Sequence, residues 1–257
     1  MQTVNILSIY ILLFTIYSFI GWFYESTICS FISQHKFINR GYLYGPLCPI
    51  YGFGAVINIL LFGKIEGIVD IFVVTAISSA IIEYFTSYVM EKLFHARWWD
   101  YSNFPLNING RICFYGCVLF GIGNVVIIYF IQPILMPNIM KINDSIKIWI
   151  SFFIAVLFIT DVIVSTCELN NLKMKIVNIN KNINMVLQNA KDKAKILNNI
   201  EYYSIKKSVV IKIQEFKETL KWNEIRFLKA FPNIKITNNH ILDKIIRKIK
   251  ERKNNET

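Results

Sequence analysis

The sequence predicts an all-α polytopic membrane protein with about five transmembrane helices and a basic, helical cytoplasmic C-terminal tail. Composition is the first reason: 54% of the 257 residues are hydrophobic and 18% are charged, and the mean hydropathy is +0.42, a balance a water-soluble domain rarely has. Aromatic content is the second, with 20 Phe, 13 Tyr and 5 Trp. The third is charge partition. Residues 1–171 hold eight Lys and Arg against nine Asp and Glu, whereas residues 172–257 hold 20 against eight. These numbers exclude a disordered or collagen-like chain and divide the protein into a transmembrane domain, 1–171, and a basic amphipathic tail, 172–257.

Residues 4–30 are apolar almost throughout and, at about 1.5 Å per residue, suffice to cross a ~30 Å hydrocarbon layer. No Lys or Arg precedes them and no small-residue cleavage site follows a short apolar core, so they read as an uncleaved anchor. Further apolar stretches at 46–62, 68–94, 112–132 and 147–167 complete the five spans. With the N-terminus outside, the inner segments carry Lys36 and Arg40, then Lys92, Arg97 and Arg111, then the tail. The outer loops carry only Lys64, Lys141 and Lys147. The positive-inside rule therefore predicts the N-terminus outside and the C-terminus in the cytoplasm.

Given that topology, Glu25, Glu83 and Asp161 all fall in the cytoplasmic half of the membrane. A charged side chain at the centre of a span costs about 2.5 to 3.5 kcal/mol on insertion scales, which predicts that these carboxylates face the bundle interior or are protonated. Helical spacing agrees. Ser18, Gly21 and Glu25 share one face, as do Ala76, Ser79, Glu83 and Ser87, then Cys113, Cys117, Gly121 and Asn124, and finally Asp161, Ser165 and Glu168. Small residues on such faces equally suit plain packing seams.

Two segments meet the same rim. Residues 41–54, GYLYGPLCPIYGFG, combine Pro46 and Pro49 with four glycines, so the entry to the second span is expected to be irregular and to border a polar recess. Residues 97–111, RWWDYSNFPLNINGR, contain Trp98, Trp99 and Tyr101, which also fit an aromatic belt at the headgroups. Asp100 and Arg111 are expected to pair with each other or with Glu91, holding the third-to-fourth connection against the bundle. The candidate ligand-binding residues are Glu25, Tyr51, Glu83, Tyr84, Ser87, Glu91, Trp99, Asp100, Asn109, Arg111 and Asp161.

The ordered set GW-x-x-E at 21–25, GPLCPIYG at 45–52, EY at 83–84, WWDYS at 98–102 and NGRIC at 109–113 resembles the CmpB family over about residues 5–170. That group of small bacterial membrane proteins carries the label putative ABC-transporter type IV. A weaker similarity extends to RFLKAFPNI at 226–234, like the basic cytoplasmic end of firmicute members. The resemblance implies a multi-pass protein of the bacterial plasma membrane.

Chemical motifs narrow the function. No G-x-x-x-x-G-K-[ST] phosphate loop occurs, so an ATP-driven transporter would need a separate ATPase, and five spans lead to the expectation of a homodimer or a partner membrane subunit. His35, His95 and His240 form no metal-binding pair, and Cys113 with Cys117 supplies too few ligands, so neither a metal nor another cofactor is expected. Cys29, Cys48 and Cys167 face a reducing cytosol and are not expected to form disulfides. Carboxylates at 25, 83, 91, 100 and 161 suit acid–base work in a membrane-embedded lipid-modifying enzyme, or binding of a small solute, cation or proton during transport. The lack of a recognisable nucleophile motif tilts the reading toward transport. A non-catalytic membrane scaffold or assembly factor is the third reading.

In the tail, Ile176, Ile179, Ile183, Val186, Ala190, Leu197 and Ile200 follow a heptad-like step broken by Lys193. Ile213, Phe216 and Leu220 mark a second amphipathic stretch. Pro232 then separates it from Leu242, Ile245, Ile246 and Ile249. Residues 244–253 hold six Lys and Arg, which predicts contact with anionic inner-leaflet lipid at about 1 kcal/mol per basic residue and makes nucleic acid an unfavoured partner.

Overall fold

In a computed structural model of the chain the described residues are 2–94, 96–193, 211–212, 214–216, 218–231 and 235–236. His95 and His240, the heptad positions Leu197 and Ile200, then Ile213, Pro232, Leu242, Ile245, Ile246, Ile249 and the basic run 244–253 lie outside them. So do the side chains of Val186 and Ala190.

The first helix, α1 (Gln2–Tyr24), passes through a π-helical turn (Glu25–Cys29) into α2 (Ser30–Gln34). Ser30 Oγ donates to the Glu25 carbonyl at 2.9 Å inside that turn, where the backbone ladder widens by one residue. Helix α3 (Pro49–Phe62) follows, with Pro49 in its first turn, where a missing N–H costs nothing. It has 14 residues, roughly 21 Å of helix, which is short for a ~30 Å layer. Helix α4 (Ile68–Phe94) covers the predicted third span residue for residue.

The 95–113 connection contains β1 (Ala96–Arg97) and a hairpin of β2 (Asn107–Ile108) and β3 (Ile112–Cys113). Asn109 and Gly110 both have positive φ, 52° and 66°, and Arg111 N donates to the Ile108 carbonyl at 3.0 Å, a primed turn within the three-residue loop between the paired residues Ile108 and Ile112. After it, α5 (Phe114–Val126), a second π-helical turn (Ile127–Ile131) and α6 (Gln132–Met140) form one apolar rod. Helix α7 (Asp144–Lys193) is 50 residues long and runs past position 171 without interruption. The described tail adds α8 (Trp222–Ala230) and β4 (Lys235–Ile236), which pairs antiparallel with β1.

Four helical stretches are long and apolar enough to cross a membrane: Gln2–Ile32, Ile68–Phe94, Phe114–Met140 and Asp144–Met185. Helix α3 is a shorter apolar helix. Large apolar side chains cover their outer faces, among them Val69 at 72% and Leu157 at 69% exposure, as lipid-facing surfaces require. The predicted fourth span, 112–132, begins later because the hairpin takes up residues 112–113. It ends later because Pro133 falls in the first turn of α6 and Pro137 is accommodated inside it.

The small-residue seam of α1 is realised against α3. A Cβ on Gly21 would lie 2.3 Å from the Tyr51 ring, and one on Gly52 would lie 2.1 Å from Ser18 Oγ and 2.5 Å from the Phe14 carbonyl. No other residue permits that approach. The loops after α2 and α4 meet the tail at one end of the bundle, through the Arg226 contacts to Leu43 and the β1–β4 pairing. At the other end, Ser151 Oγ donates to the Ser8 carbonyl at 3.0 Å and Gly67 N donates to Tyr129 Oη at 3.3 Å.

A hydrophobic cluster caps the tail end. Phe94 and Trp98 pack with Leu169, Leu172, Ile176, Ile179 and Ile183 of α7 and with Phe216, Phe227 and Leu228 of the tail. Three of the expected heptad positions thus bury their side chains, and Leu220 packs against the same cluster.

Candidate functional site

The π-helical turn and the start of α3 bring Glu25 to Tyr51, whose hydroxyl donates to Glu25 Oε1 at 2.6 Å. Arg40 Nη1 lies 3.7 Å from the other oxygen, Oε2. Glu83 occupies the adjoining face of α4 and is only 5% exposed. Tyr101, delivered by the 95–113 connection, donates its hydroxyl to Glu83 Oε1 at 3.2 Å. Glu83 Oε2 is buried with no hydrogen-bond partner among the described residues, and a Cβ built on Gly116 would stand 4.0 Å from it, an ordinary contact distance. Burial pushes the Tyr101 phenol well above its ordinary range, and the charges of Glu83 and Glu25 push it the same way. Two carboxylates and two phenols are thus gathered at one site of the bundle, with Glu83 buried and the Glu25 side chain 28% exposed.

The cations of this end are engaged elsewhere. Arg111 Nη1 pairs with Glu91 Oε2 at 2.9 Å, and Arg97 Nε reaches the same oxygen at 3.2 Å. The expected alternative, Arg111 with Asp100, does not form: Asp100 lies 3.7 Å from Arg97 Nη1 and accepts from the Ser102 hydroxyl and backbone N–H. Arg111 also donates to Ser87 Oγ at 3.3 Å and lies over the rings of Tyr84 and Tyr88 at 5.6 and 5.5 Å. Asn109 Nδ2 donates to Tyr84 Oη at 3.0 Å, and the Trp99 indole donates to the Arg111 carbonyl at 2.9 Å. Tyr84, Ser87, Glu91, Trp99, Asp100, Asn109 and Arg111 thus form a clamp that fastens the hairpin to α4, as expected of this connection. Trp98 is 2% exposed inside the tail cluster, where a belt residue would be half in water.

Asp161 has a third role. Its two oxygens accept from the backbone N–H groups of Tyr44 and Gly45, each at 2.8 Å, and Oδ1 also takes the Ser165 hydroxyl at 3.1 Å. The irregular 41–48 segment is anchored by that carboxylate, which is fully used there. From the opposite side Arg226, 8% exposed, donates to the Leu43 carbonyl at 2.7 Å and stacks 4.4 Å from the Tyr44 ring centre. Burial draws the Arg226 pKa below its usual range, and the charges of Asp161 and Glu168 push back. The expected inner recess is accordingly divided: Glu25, Tyr51 and Glu83 are together, whereas Asp161 belongs to a collar around residues 41–48.

Sequence reasoning missed a polar triad deeper in the bundle. Asn58 Nδ2 of α3 donates to Asn124 Oδ1 at 3.0 Å and to Ser79 Oγ at 3.1 Å, and Asn124 Nδ2 reaches Ser79 Oγ at 3.1 Å. Asn58 is fully buried, and its Oδ1 has no partner among the described residues. Its signal was a lone carboxamide in the apolar run 49–62. Ser79 and Asn124 had been assigned to inward faces without their partner.

A family model described as ABC_trans_CmpB, "Putative ABC-transporter type IV", matches residues 12–166. No curated protein and no solved structure matches the chain. The matched stretch covers the helices and connections that carry the Glu25–Glu83 pocket, the hairpin clamp and the Asp161 collar. This chain therefore belongs to the CmpB family, whose description is "Putative ABC-transporter type IV".

Proposed function

We propose that this protein is the membrane-embedded part of a transport system, crossing the membrane five times with its N-terminus outside, and that the Glu25–Glu83 pocket binds a proton or small cation that moves through it. The observation that carries this reading is the Glu83 carboxylate: one oxygen is held by Tyr101, the other is buried and unpartnered, and no Lys or Arg among the described residues lies within ion-pair distance. A buried acidic group without a counter-ion is expensive unless something positive joins it. The missing partner has to be a donor or a cation, and the tight surroundings of Oε2 favour a small one. The family description supports association with other transporter subunits, and the absence of a phosphate-binding loop assigns ATP hydrolysis, where it occurs, to a separate chain.

The test is flux in reconstituted vesicles containing a pH-sensitive dye inside and an imposed cation gradient. Losing a charged partner costs about 1.5 to 3 kcal/mol, so Glu83→Gln is expected to lower binding or flux by roughly 10- to 150-fold. Its thermal unfolding should match that of the wild type. Unchanged flux with an intact fold rejects Glu83 as the binding group. A change in membrane lipid chemistry on expression, abolished by the same substitution, would replace transport with enzymatic turnover.

A further inference from the structure

We propose that a half-open cavity of about 310 Å³ between α7 and α8 binds ethanolamine phosphate, an ammonium and a phosphate joined by two carbons, presented by a phosphatidylethanolamine headgroup. This site is separate from the Glu83 pocket and takes from the preceding reading only that α7 crosses a membrane.

Much of the polarity in the cavity wall is already satisfied. Lys175 Nζ donates to Glu224 Oε2 and to the Thr219 carbonyl, each at 2.7 Å, and Glu224 Oε2 also takes the Lys221 backbone N–H at 2.7 Å. Glu224 is 2% exposed, so this pair forms a neutral floor. The charges left over are one of each sign. Glu168 receives Asn223 on Oε1, while its Oε2 is buried and has no partner among the described residues. Lys221 lines the same cavity with an exposed side chain at the rim. Asn171, Asn178 and Asn223, which both donate and accept, and the apolar side chain of Met174 supply the remaining lining.

An unpaired carboxylate oxygen inside and an ammonium at the mouth select a ligand of the reverse polarity, with its ammonium inward and its anion outward. A phosphatidylethanolamine headgroup has that order, because its amine is distal and its phosphate leads back to the acyl chains. The level on α7 fits. Ile163 and Val164 are exposed apolar side chains, and Glu168 follows within five residues, about 7 Å along the axis, where Asn170 and Asn171 replace the apolar run. The cavity therefore opens where hydrocarbon gives way to headgroups. A choline headgroup carries the same charges but has no N–H to donate to Glu168.

The test is native mass spectrometry of the full chain released from detergent, titrated with phosphatidylethanolamine, with phosphatidylcholine of the same acyl chains, and with free phosphoethanolamine. Wild-type protein is expected to retain the ethanolamine lipid about tenfold or more over the choline lipid, since a site built to accept a hydrogen bond discriminates against an analogue without one. Glu168→Gln should erase that preference, whereas Lys221→Gln should weaken retention of both lipids about equally, because both carry the phosphate that Lys221 meets. Lys221 is exposed, so its substitution leaves the packed interface in place and the result interpretable even if Glu168→Gln fails to fold. Glu83→Gln should keep the preference, which separates failure here from failure of the transport reading. Displacement of the lipid by free phosphoethanolamine at comparable concentration would support the chemistry and move its source to solution. Equal retention of both lipids without binding of free phosphoethanolamine, a preference that survives Glu168→Gln, or unchanged retention of both lipids by Lys221→Gln overturns the proposal.

Discussion

Glu83 and Asp161 are both single carboxylates in long apolar helices near the same end of the bundle, yet their surroundings differ completely. Asp161 is enclosed by donors: two backbone N–H groups and a serine hydroxyl occupy its oxygens. Glu83 has one phenol and a bare oxygen. A carboxylate that accepts backbone hydrogen bonds is a structural fastener, because the groups it satisfies cannot leave. One left with an unpartnered oxygen inside protein is held at a cost and has capacity for something that can leave. The difference teaches that intramembrane acidity alone does not mark a binding site; the count of donors around it does.

That contrast can be broken most severely at the fastener. Asp161→Ala removes the side-chain acceptor of Tyr44 N and Gly45 N and loosens the 41–48 segment, whose other anchors include Arg226, the Tyr42 hydroxyl bond to Thr166 and the Cys48 N–H bond to the Ser18 carbonyl. Orphaned buried donors cost about 1 to 3 kcal/mol each. The variant is expected to lose several kcal/mol of stability, read as a markedly lower midpoint in thermal unfolding in detergent. Glu83→Gln should leave that midpoint unchanged. If Glu83→Gln proves the more destabilising of the two, the assignment of roles is reversed.

A smaller effect tests the seam on which the Glu25 half of the pocket depends. Gly52→Ala would place a methyl 2.5 Å from the Phe14 carbonyl, a backbone atom that can move only with α1. Overpacking of this kind costs about 1 to 3 kcal/mol. Because Tyr51 is the neighbouring residue, the same shift should lengthen its 2.6 Å bond to Glu25 and weaken cation binding as well as stability. Gly54→Ala, where a Cβ meets open space, is the matched control and should be silent in both assays.

Hydropathy made most of the frame legible. Helix α4 coincides with the apolar run 68–94, and α7 continues well beyond the apolar run 147–167. Its apolarity ends near Cys167, but its helical backbone does not, and the tail cluster that keeps it helical is built from Phe216, Phe227 and Leu228 far along the chain. The Asn109–Gly110 turn falls in the connection that the sequence places between the third and fourth spans, and only residues 112 and 113 of the hairpin lie in the apolar run taken for the fourth span. The pairing of acids with partners was not legible at all. Glu83 and Asp161 look alike along the sequence, and what separates them is a contact across 116 residues to the Gly45 N–H and, at Glu83, an oxygen with no partner among the described residues. Such information lies in the packing of helices against each other, which periodicity does not encode.

The finest probe of the comparison is the one hydroxyl that Glu83 has. Tyr101→Phe removes that donor and leaves the carboxylate with none among the described residues. At neutral pH the loss of a single hydrogen bond to a charged acceptor is worth about 1.5 to 3 kcal/mol at most, and a carboxylate that takes a proton in response gives part of it back. The pH profile separates the two contributions. Tyr101 binds its proton more tightly folded than unfolded, so its contribution is complete below the unfolded tyrosine value of about 10 and is lost as pH climbs above it. Wild-type stability should therefore fall more steeply than that of Tyr101→Phe in alkaline titrations, and the two curves should run parallel between neutrality and about pH 9. Parallel curves throughout the alkaline range would mean that Tyr101 ionises as freely folded as unfolded, and the dry pocket around Glu83 would then be wet.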